Sequence, residues 1–124
     1  MTKDKNNIEI VPIIVPEWFT EDLQIFKPFV IRAPTGFSVQ KVFDFIKDHE
    51  LRPGRVEDLF PLLGYDGDML VFPGSTRVVG GNHYYLEMCM QDPKRGKIGV
   101  DWAKLNPNTN LIFRKSFLAV SIGD

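Results

Sequence analysis

The first half of the chain contains two short runs of β-branched residues bounded by prolines. Residues 8–16 (IEIVPIIVP) and 27–34 (KPFVIRAP) carry enough valine and isoleucine to predict two strands. Pro12 lies within the first run and has no backbone N–H, so it cannot donate to the ladder of a central strand. The pattern therefore predicts that the first strand lies at the edge of a sheet.

Helical spacing appears three times before Gly64 and is clearest after Ser38. Ser38 fits an N-cap, and the amphipathic helix that follows is expected to end near His49. Its apolar face consists of Val39, Val42, Phe43 and Ile46. Similar spacing predicts two shorter helices, one with Phe19, Leu23 and Phe26 and the other with Val56, Leu59, Phe60 and Leu63.

After Gly64 the pattern changes to short β-rich runs separated by glycine, proline and asparagine. MLVF, TRVV, HYYLEMCM, KIGVDW and NLIFRKSFLAV alternate with turn segments such as PGS, GG and NPNTN, which predicts hairpins and a meander. The expected fold is α+β, with a mainly antiparallel sheet, a C-terminal meander and two or three short N-terminal helices packed on one face. Residues 8–124 are expected to form a single domain after a disordered tail of residues 1–7.

Alternation within residues 82–90 (NHYYLEMCM) divides that run into two faces. Tyr84, Leu86, Met88 and Met90 are predicted to point inward. His83, Tyr85, Glu87 and Cys89 are predicted to form a mixed, partly solvated face, with Tyr85 as an exposed contact. The predicted core includes Phe43, Ile46, Leu59, Leu86, Met88 and Phe113.

Charge and cysteine content disfavour several classes of partner. The 124 residues carry a net charge of −1, which provides no bulk attraction to nucleic acid or to an anionic membrane. Cys89 is the only cysteine, so no intramolecular disulfide can form. The first residues lack the apolar segment of a secretory signal, and no apolar run approaches the ~20 residues that span a bilayer. A cytoplasmic protein with no membrane partner is expected.

The chain shows no recognisable catalytic, metal or cofactor motif. His83 and Cys89 lie six residues apart on one predicted strand, about 20 Å at ~3.3 Å per residue, which excludes a dyad. Asp66 and Asp68 suggest a calcium loop, but its twelfth position is Arg77 rather than glutamate. The glycine-rich FPGSTRVVGG lacks the lysine of a phosphate loop. No catalytic residue, metal or cofactor is therefore predicted.

The second half resembles the SUKH superfamily over less than half of the chain. The similar segments are a Gly-Gly-Asn turn, an aromatic–aliphatic strand, a GKI…DW segment and a late Ser-Phe pair. They correspond to Gly80–Asn82, Tyr84–Leu86, Gly96–Ile98 with Asp101 and Trp102, and Ser116 with Phe117. The resemblance implies a non-catalytic binding protein, often a bacterial toxin-immunity protein. Residues 27–50, by contrast, are similar to the strand–turn–helix step of a β-grasp fold.

Three functional hypotheses follow. The first is a non-catalytic protein-interaction module, such as an immunity protein or an inhibitor, that binds a toxin, an enzyme or another protein. Its expected contacts are His83, Tyr85, Glu87, Trp102 and Arg95. The alternative is an enzyme or small-ligand binder with a site between sheet and helices at His83, Tyr85, Asp101 and Trp102. The third, which the charge disfavours, is a nucleic-acid binder with Arg77, Lys94, Arg95 and Lys97 for phosphates and Tyr84 or Trp102 for stacking.

Overall fold

The computed structural model describes residues 8–13, 27–58, 69–89 and 99–121. In chain order the elements are β1 Glu9–Pro12, β2 Pro28–Ala33, α1 Val39–Asp48, β3 Leu51–Pro53, β4 Leu70–Val79, β5 Asn82–Cys89, β6 Gly99–Lys104 and β7 Lys115–Ser121. The described molecule is thus mostly sheet, with α1 as the one helix in those ranges. The prediction of two or three helices and a mainly antiparallel sheet was too detailed. The described residues contain one helix, and the sheet is mixed because it combines parallel and antiparallel pairing.

Helix α1 forms where the capping and spacing signals place it. The Ser38 hydroxyl accepts a hydrogen bond from the Lys41 amide at 3.2 Å, which satisfies one of the free amides of the first turn. Backbone carbonyls of the β6–β7 connection accept from two more, those of Val39 and Gln40. The helix buries Val39, Val42 and Ile46 against the sheet and has His49 at its C-cap, as expected.

The sheet has the strand order β1-β2-β7-β4-β5-β6, with β3 paired to β7 off this path. β1 lies at the edge, so the prediction from Pro12 is confirmed. β2 pairs with β7 along one side, while the other side of β7 is shared by β4 and β3. β4 runs parallel to β7, whereas β4, β5 and β6 are joined by antiparallel pairing. The expected meander therefore describes only the β4–β6 part of the sheet.

The PGS segment lies inside strand β4 and is not the turn that the sequence predicted. The pairing of β4 with β5 changes register between Phe72 and Thr76. Pro73 lacks an N–H to donate, so it is tolerated at such an irregularity. Gly74 donates its amide to the Gly54 carbonyl at 2.7 Å. MLVF and TRVV are therefore two halves of one strand.

Strand β3 was not predicted, since it has three residues and includes Pro53. It forms because Leu51 is buried in the core and the strand pairs with the last residues of β7. The chain continues along β7 through Gly54, whose amide donates to the Leu118 carbonyl at 2.8 Å. A Cβ on Gly54 would lie 2.4 Å from Cγ of Leu118, so only glycine permits this approach.

Hydrophobic residues fill both faces of the sheet and alternate along its central strands. On the α1 side the buried cluster includes Ile31, Val71, Tyr85 and Phe117. On the opposite side it consists of Val30, Leu70, Phe72, Met88 and Leu118. In the described chain, Val56 of a short 3₁₀ turn and Ile13 pack against this second cluster.

Four of the six predicted core residues pack as expected or nearly so. Ile46 and Met88 are buried, while Phe43 and Leu86 are partly buried and pack against the two clusters. The prediction for Phe113 is wrong, because its side chain is 73% exposed. Phe113 precedes β7 and lies outside the alternating pattern of that strand, whose first residue is Lys115.

Several predictions lie outside the described residues. They are the tail 1–7, the helix with Phe19, Leu23 and Phe26, the inward position of Met90, and the residues Leu59, Phe60, Leu63, Asp66, Asp68, Lys94, Arg95 and Lys97. The side chain of Cys89 is also outside the described part. Within the described ranges, no helix combines the length and the apolar character needed to cross a membrane.

Candidate binding surface

The β4–β5 hairpin carries the candidate surface at its outer end. Gly80 and Gly81 have φ angles of 57° and 81°, the positive values that a two-residue type I′ turn requires. This turn pairs Val79 with Asn82 and Arg77 with Tyr84. Paired residues of an antiparallel ladder point to the same face, so Arg77, Val79 and Tyr84 share one face.

Strand β6 adds Trp102 to that face and completes an open groove. Trp102 pairs with Leu86, two residues along β5 from Tyr84. The groove is lined by Arg77, Val79, Tyr84 and Trp102, has a volume of about 210 Å³ and presents apolar surface. The Arg77 guanidinium carbon lies 5.4 Å from the Trp102 ring centroid, within cation–π distance. Trp102 remains 41% exposed and Val79 50% exposed.

The charges of the groove face are positive. Arg77, Tyr84 and Lys104 form a row across β4, β5 and β6, because Tyr84 pairs with both cationic residues. The neighbouring carboxylates Glu87 and Asp101 pair with each other and therefore share the opposite, α1-facing side. Within the described parts of β4, β5 and β6, the groove face thus carries two cations and no carboxylate.

Tyr85 points away from this groove and into the core, which corrects the prediction of an exposed contact. Its side chain is only 4% exposed and packs edge-on against Phe43 of α1, with ring centroids 5.3 Å apart. Burial raises the pKa of the Tyr85 hydroxyl above its usual value, and a hydrogen bond with the Thr76 side chain offsets only part of this rise. The predicted face division failed here because α1 covers the side that was expected to be solvated.

His83 and Glu87 lie on the same face as Tyr85 and are both half-buried. The His83 backbone is tied to the β6–β7 connection, since its amide donates to Asn106 Oδ1 at 2.8 Å and its carbonyl accepts from the Leu105 amide. Glu87 accepts a hydrogen bond from Lys115 of β7 at 3.0 Å. These contacts stabilise the connection between sheet and loop, and they place neither residue in the groove.

The residues of the predicted enzyme site are not brought together. Trp102 lies on the groove face, whereas Tyr85 and Asp101 lie on the α1 face. Asp101 pairs with Glu87, which lies four residues along β5 from His83. Asp101 and His83 are therefore about 13 Å apart along the strand direction, at ~3.3 Å per residue. That separation exceeds direct hydrogen-bond reach.

The groove contains one of the residues predicted to bind a protein, Trp102. It contains three of those predicted to bind nucleic acid, namely Arg77, Tyr84 and Trp102. Val79 was not predicted, although a two-residue Gly-Gly turn already implies that Val79, Arg77 and Tyr84 share a face. Within the ranges that the structure describes, no cluster of three or more His, Cys, Asp or Glu could hold a metal ion.

Comparisons with models of protein families, with curated proteins and with solved structures found no match to this chain.

Proposed function

We propose that the protein is a non-catalytic binding module that contacts another protein through the groove of Arg77, Val79, Tyr84 and Trp102. The observation that carries the proposal is the cluster of an exposed tryptophan, a half-buried tyrosine and an arginine on one face of the sheet. These three residue types are the ones most enriched among side chains that dominate binding energy at protein interfaces. A partner would cover apolar surface that otherwise faces water.

The size of the groove also favours a protein side chain over a free small molecule. Pockets for drug-sized ligands typically span about 300–1,000 Å³ and enclose most of the ligand. The groove has about 210 Å³ and is open along the sheet. It fits one or two large side chains from a partner. The finer identification as an immunity protein or an inhibitor, with a toxin or an enzyme as partner, is part of this proposal and is supported by the SUKH resemblance alone.

The experiment compares the proteins captured from a native lysate by the wild type, Trp102→Ala and Phe113→Ala. Phe113 is the matched control, because its aromatic ring is exposed but lies outside the groove. Each variant is first checked for wild-type circular dichroism and thermal unfolding. We expect Trp102→Ala to lose specific bands that Phe113→Ala retains, since truncating a dominant interface residue costs about 2 kcal/mol or more, roughly 30-fold in affinity.

The proposal is wrong if Trp102→Ala captures the same bands as the wild type. Loss in Phe113→Ala alone would move the contact to the exposed pair Ile112 and Phe113. A turnover that disappears in His83→Ala while capture persists would instead support the enzyme hypothesis.

A further inference from the structure

We infer that the groove recognises an acidic segment of the partner protein, in which at least one carboxylate flanks an aromatic or branched aliphatic side chain. This inference rests on the proposed function and names the chemistry of its partner. It follows from the way in which apolar surface and positive charge are arranged on the same face.

The apolar side chain of the segment would enter the groove itself. Val79, Tyr84 and Trp102 offer carbon surface there, and the Arg77 guanidinium lies over the Trp102 ring. Tyr84 and Trp102 are held on neighbouring strands with their backbones in the ladder, so little conformational entropy is lost when a side chain packs between them. An aromatic or aliphatic group matches this surface.

The carboxylates of the segment would meet Arg77 and Lys104. These cations flank Tyr84 on the two neighbouring strands, so Arg77 lies in the groove lining and Lys104 lies on the same sheet face beside Tyr84. A guanidinium is planar and directs its N–H donors outward in that plane, so Arg77 can bind a carboxylate in bidentate fashion while it lies over the Trp102 ring. Because Glu87 and Asp101 lie on the other face, no described carboxylate of these three strands neutralises the pair from the groove side.

Single-stranded nucleic acid is the other polyanion that cations and aromatic rings can bind. The chain as a whole has a net charge of −1, which provides no bulk attraction to the extended phosphate backbone of a nucleic acid. Two cations beside an apolar groove suit a short acidic segment better, since that ligand presents only a few charges next to its apolar side chain.

The experiment selects a displayed library of random twelve-residue peptides on the wild-type protein, with counter-selection on Trp102→Ala. We expect the enriched, Trp102-dependent peptides to contain aspartate or glutamate beside phenylalanine, tryptophan, leucine or isoleucine. The affinity of the best synthetic peptide is then measured by fluorescence anisotropy for the wild type, Arg77→Lys, Arg77→Glu and Lys104→Glu. A labelled twelve-nucleotide oligothymidylate is measured beside it.

Charge reversal at Arg77 or Lys104 should weaken binding by about tenfold or more, whereas Arg77→Lys should weaken it by only a few-fold. Binding should also weaken as NaCl rises from 50 to 500 mM, as screening of exposed charges requires. Phe113→Ala, which lies outside the groove, should bind as the wild type does.

The failures of the two proposals differ. If Trp102-dependent peptides are enriched but are neutral or basic, the acidic preference is wrong and the binding function stands. If no peptide depends on Trp102, both proposals fail at this surface. If the oligothymidylate binds more tightly than any peptide and loses its binding in Trp102→Ala, the ligand is a nucleic acid and this inference is overturned.

Discussion

The inner and outer halves of strand β4 have opposite environments although they belong to one continuous strand. Leu70–Pro73 are all buried, whereas Thr76–Val79 are all exposed. The inner half lies between β7 and β5 and contributes side chains to both hydrophobic clusters. The outer half pairs with β5 alone in the described structure and carries two of the groove residues. Stability and the candidate function thus belong to different halves of the same strand.

The change of environment occurs where β4 runs past its neighbour β7. The ladder with β7 includes only Leu70 and Val71, and the register with β5 shifts between Phe72 and Thr76. Between these points the Gly74 amide donates a hydrogen bond to the Gly54 carbonyl, and the Ser75 hydroxyl accepts a hydrogen bond from the Val56 amide at 2.8 Å. The β3 region therefore holds the middle of β4, while the outer hairpin extends beyond it.

The largest expected difference between the two halves is in side-chain truncation. Phe72→Ala removes a fully buried ring and should lower the free energy of unfolding by about 3–5 kcal/mol. Val79→Ala trims a side chain that is 50% exposed and should cost less than about 1 kcal/mol. Urea denaturation of both variants measures the contrast. Similar losses in the two would contradict the division of β4 into a packed and an exposed half.

A methyl group at Gly74 tests how the two halves are joined. Its Cβ would lie 2.9 Å from the Pro53 carbonyl oxygen and 3.0 Å from that of Gly54. We expect Gly74→Ala to lower the free energy of unfolding by about 1–3 kcal/mol, as overpacking does. Without such contacts, replacing a strand glycine by alanine would stabilise by about 0.5–1 kcal/mol, so the sign of the change in urea denaturation is decisive.

The control for Gly74→Ala is the double variant Gly74→Ala/Arg55→Ala. Cγ of Arg55 would lie 2.6 Å from the new methyl group, but that side chain is exposed and can move. The Arg55 truncation should therefore restore little of the lost stability, since the backbone oxygens remain. Full recovery would mean that the Arg55 side chain, and not the β3 backbone, limits the approach.

The smallest expected effect concerns the ion pair beside this junction. Asp58 accepts two hydrogen bonds from the Arg52 guanidinium, both at 2.9 Å, and one from the Arg55 amide at 2.8 Å. Burial alone would raise the pKa of Asp58, but these hydrogen bonds outweigh it, and the pKa lies below its usual value. Asp58→Asn should lower the free energy of unfolding by about 1 kcal/mol near neutral pH, because Arg52 is partly exposed and solvent screens the pair.

The pH dependence of this difference follows from the lowered pKa. A carboxyl whose pKa is lower in the folded state than in the unfolded state stabilises the fold. That contribution is fully present at pH values above the unfolded-state pKa, here 3.8, and is lost as the pH falls through the folded-state pKa. The difference in the free energy of unfolding between wild type and Asp58→Asn is measured by urea denaturation from pH 7 to pH 2.5. This difference should therefore become smaller only in the acid range. A gap that does not change with pH would show that the charge of Asp58 is not its source.

Local patterns in the sequence determined the elements whose signals are short-range. Ser38 and the apolar spacing after it predicted α1 closely, because a cap and an amphipathic face are read within a few turns. Pro12 predicted an edge strand, and the Gly-Gly pair predicted the hairpin turn, since each restricts the backbone of its own residues.

Only the tertiary structure decided which face of each strand met a covering layer. Tyr84 and Tyr85 are adjacent and chemically identical, yet one lines the groove and the other is buried under α1. The sequence by itself determined that they point to opposite faces, because side chains alternate along a strand. It did not determine that α1 covers one face or that β6 brings Trp102 to the other, because those contacts join residues far apart in the chain and depend on the packing of the whole sheet.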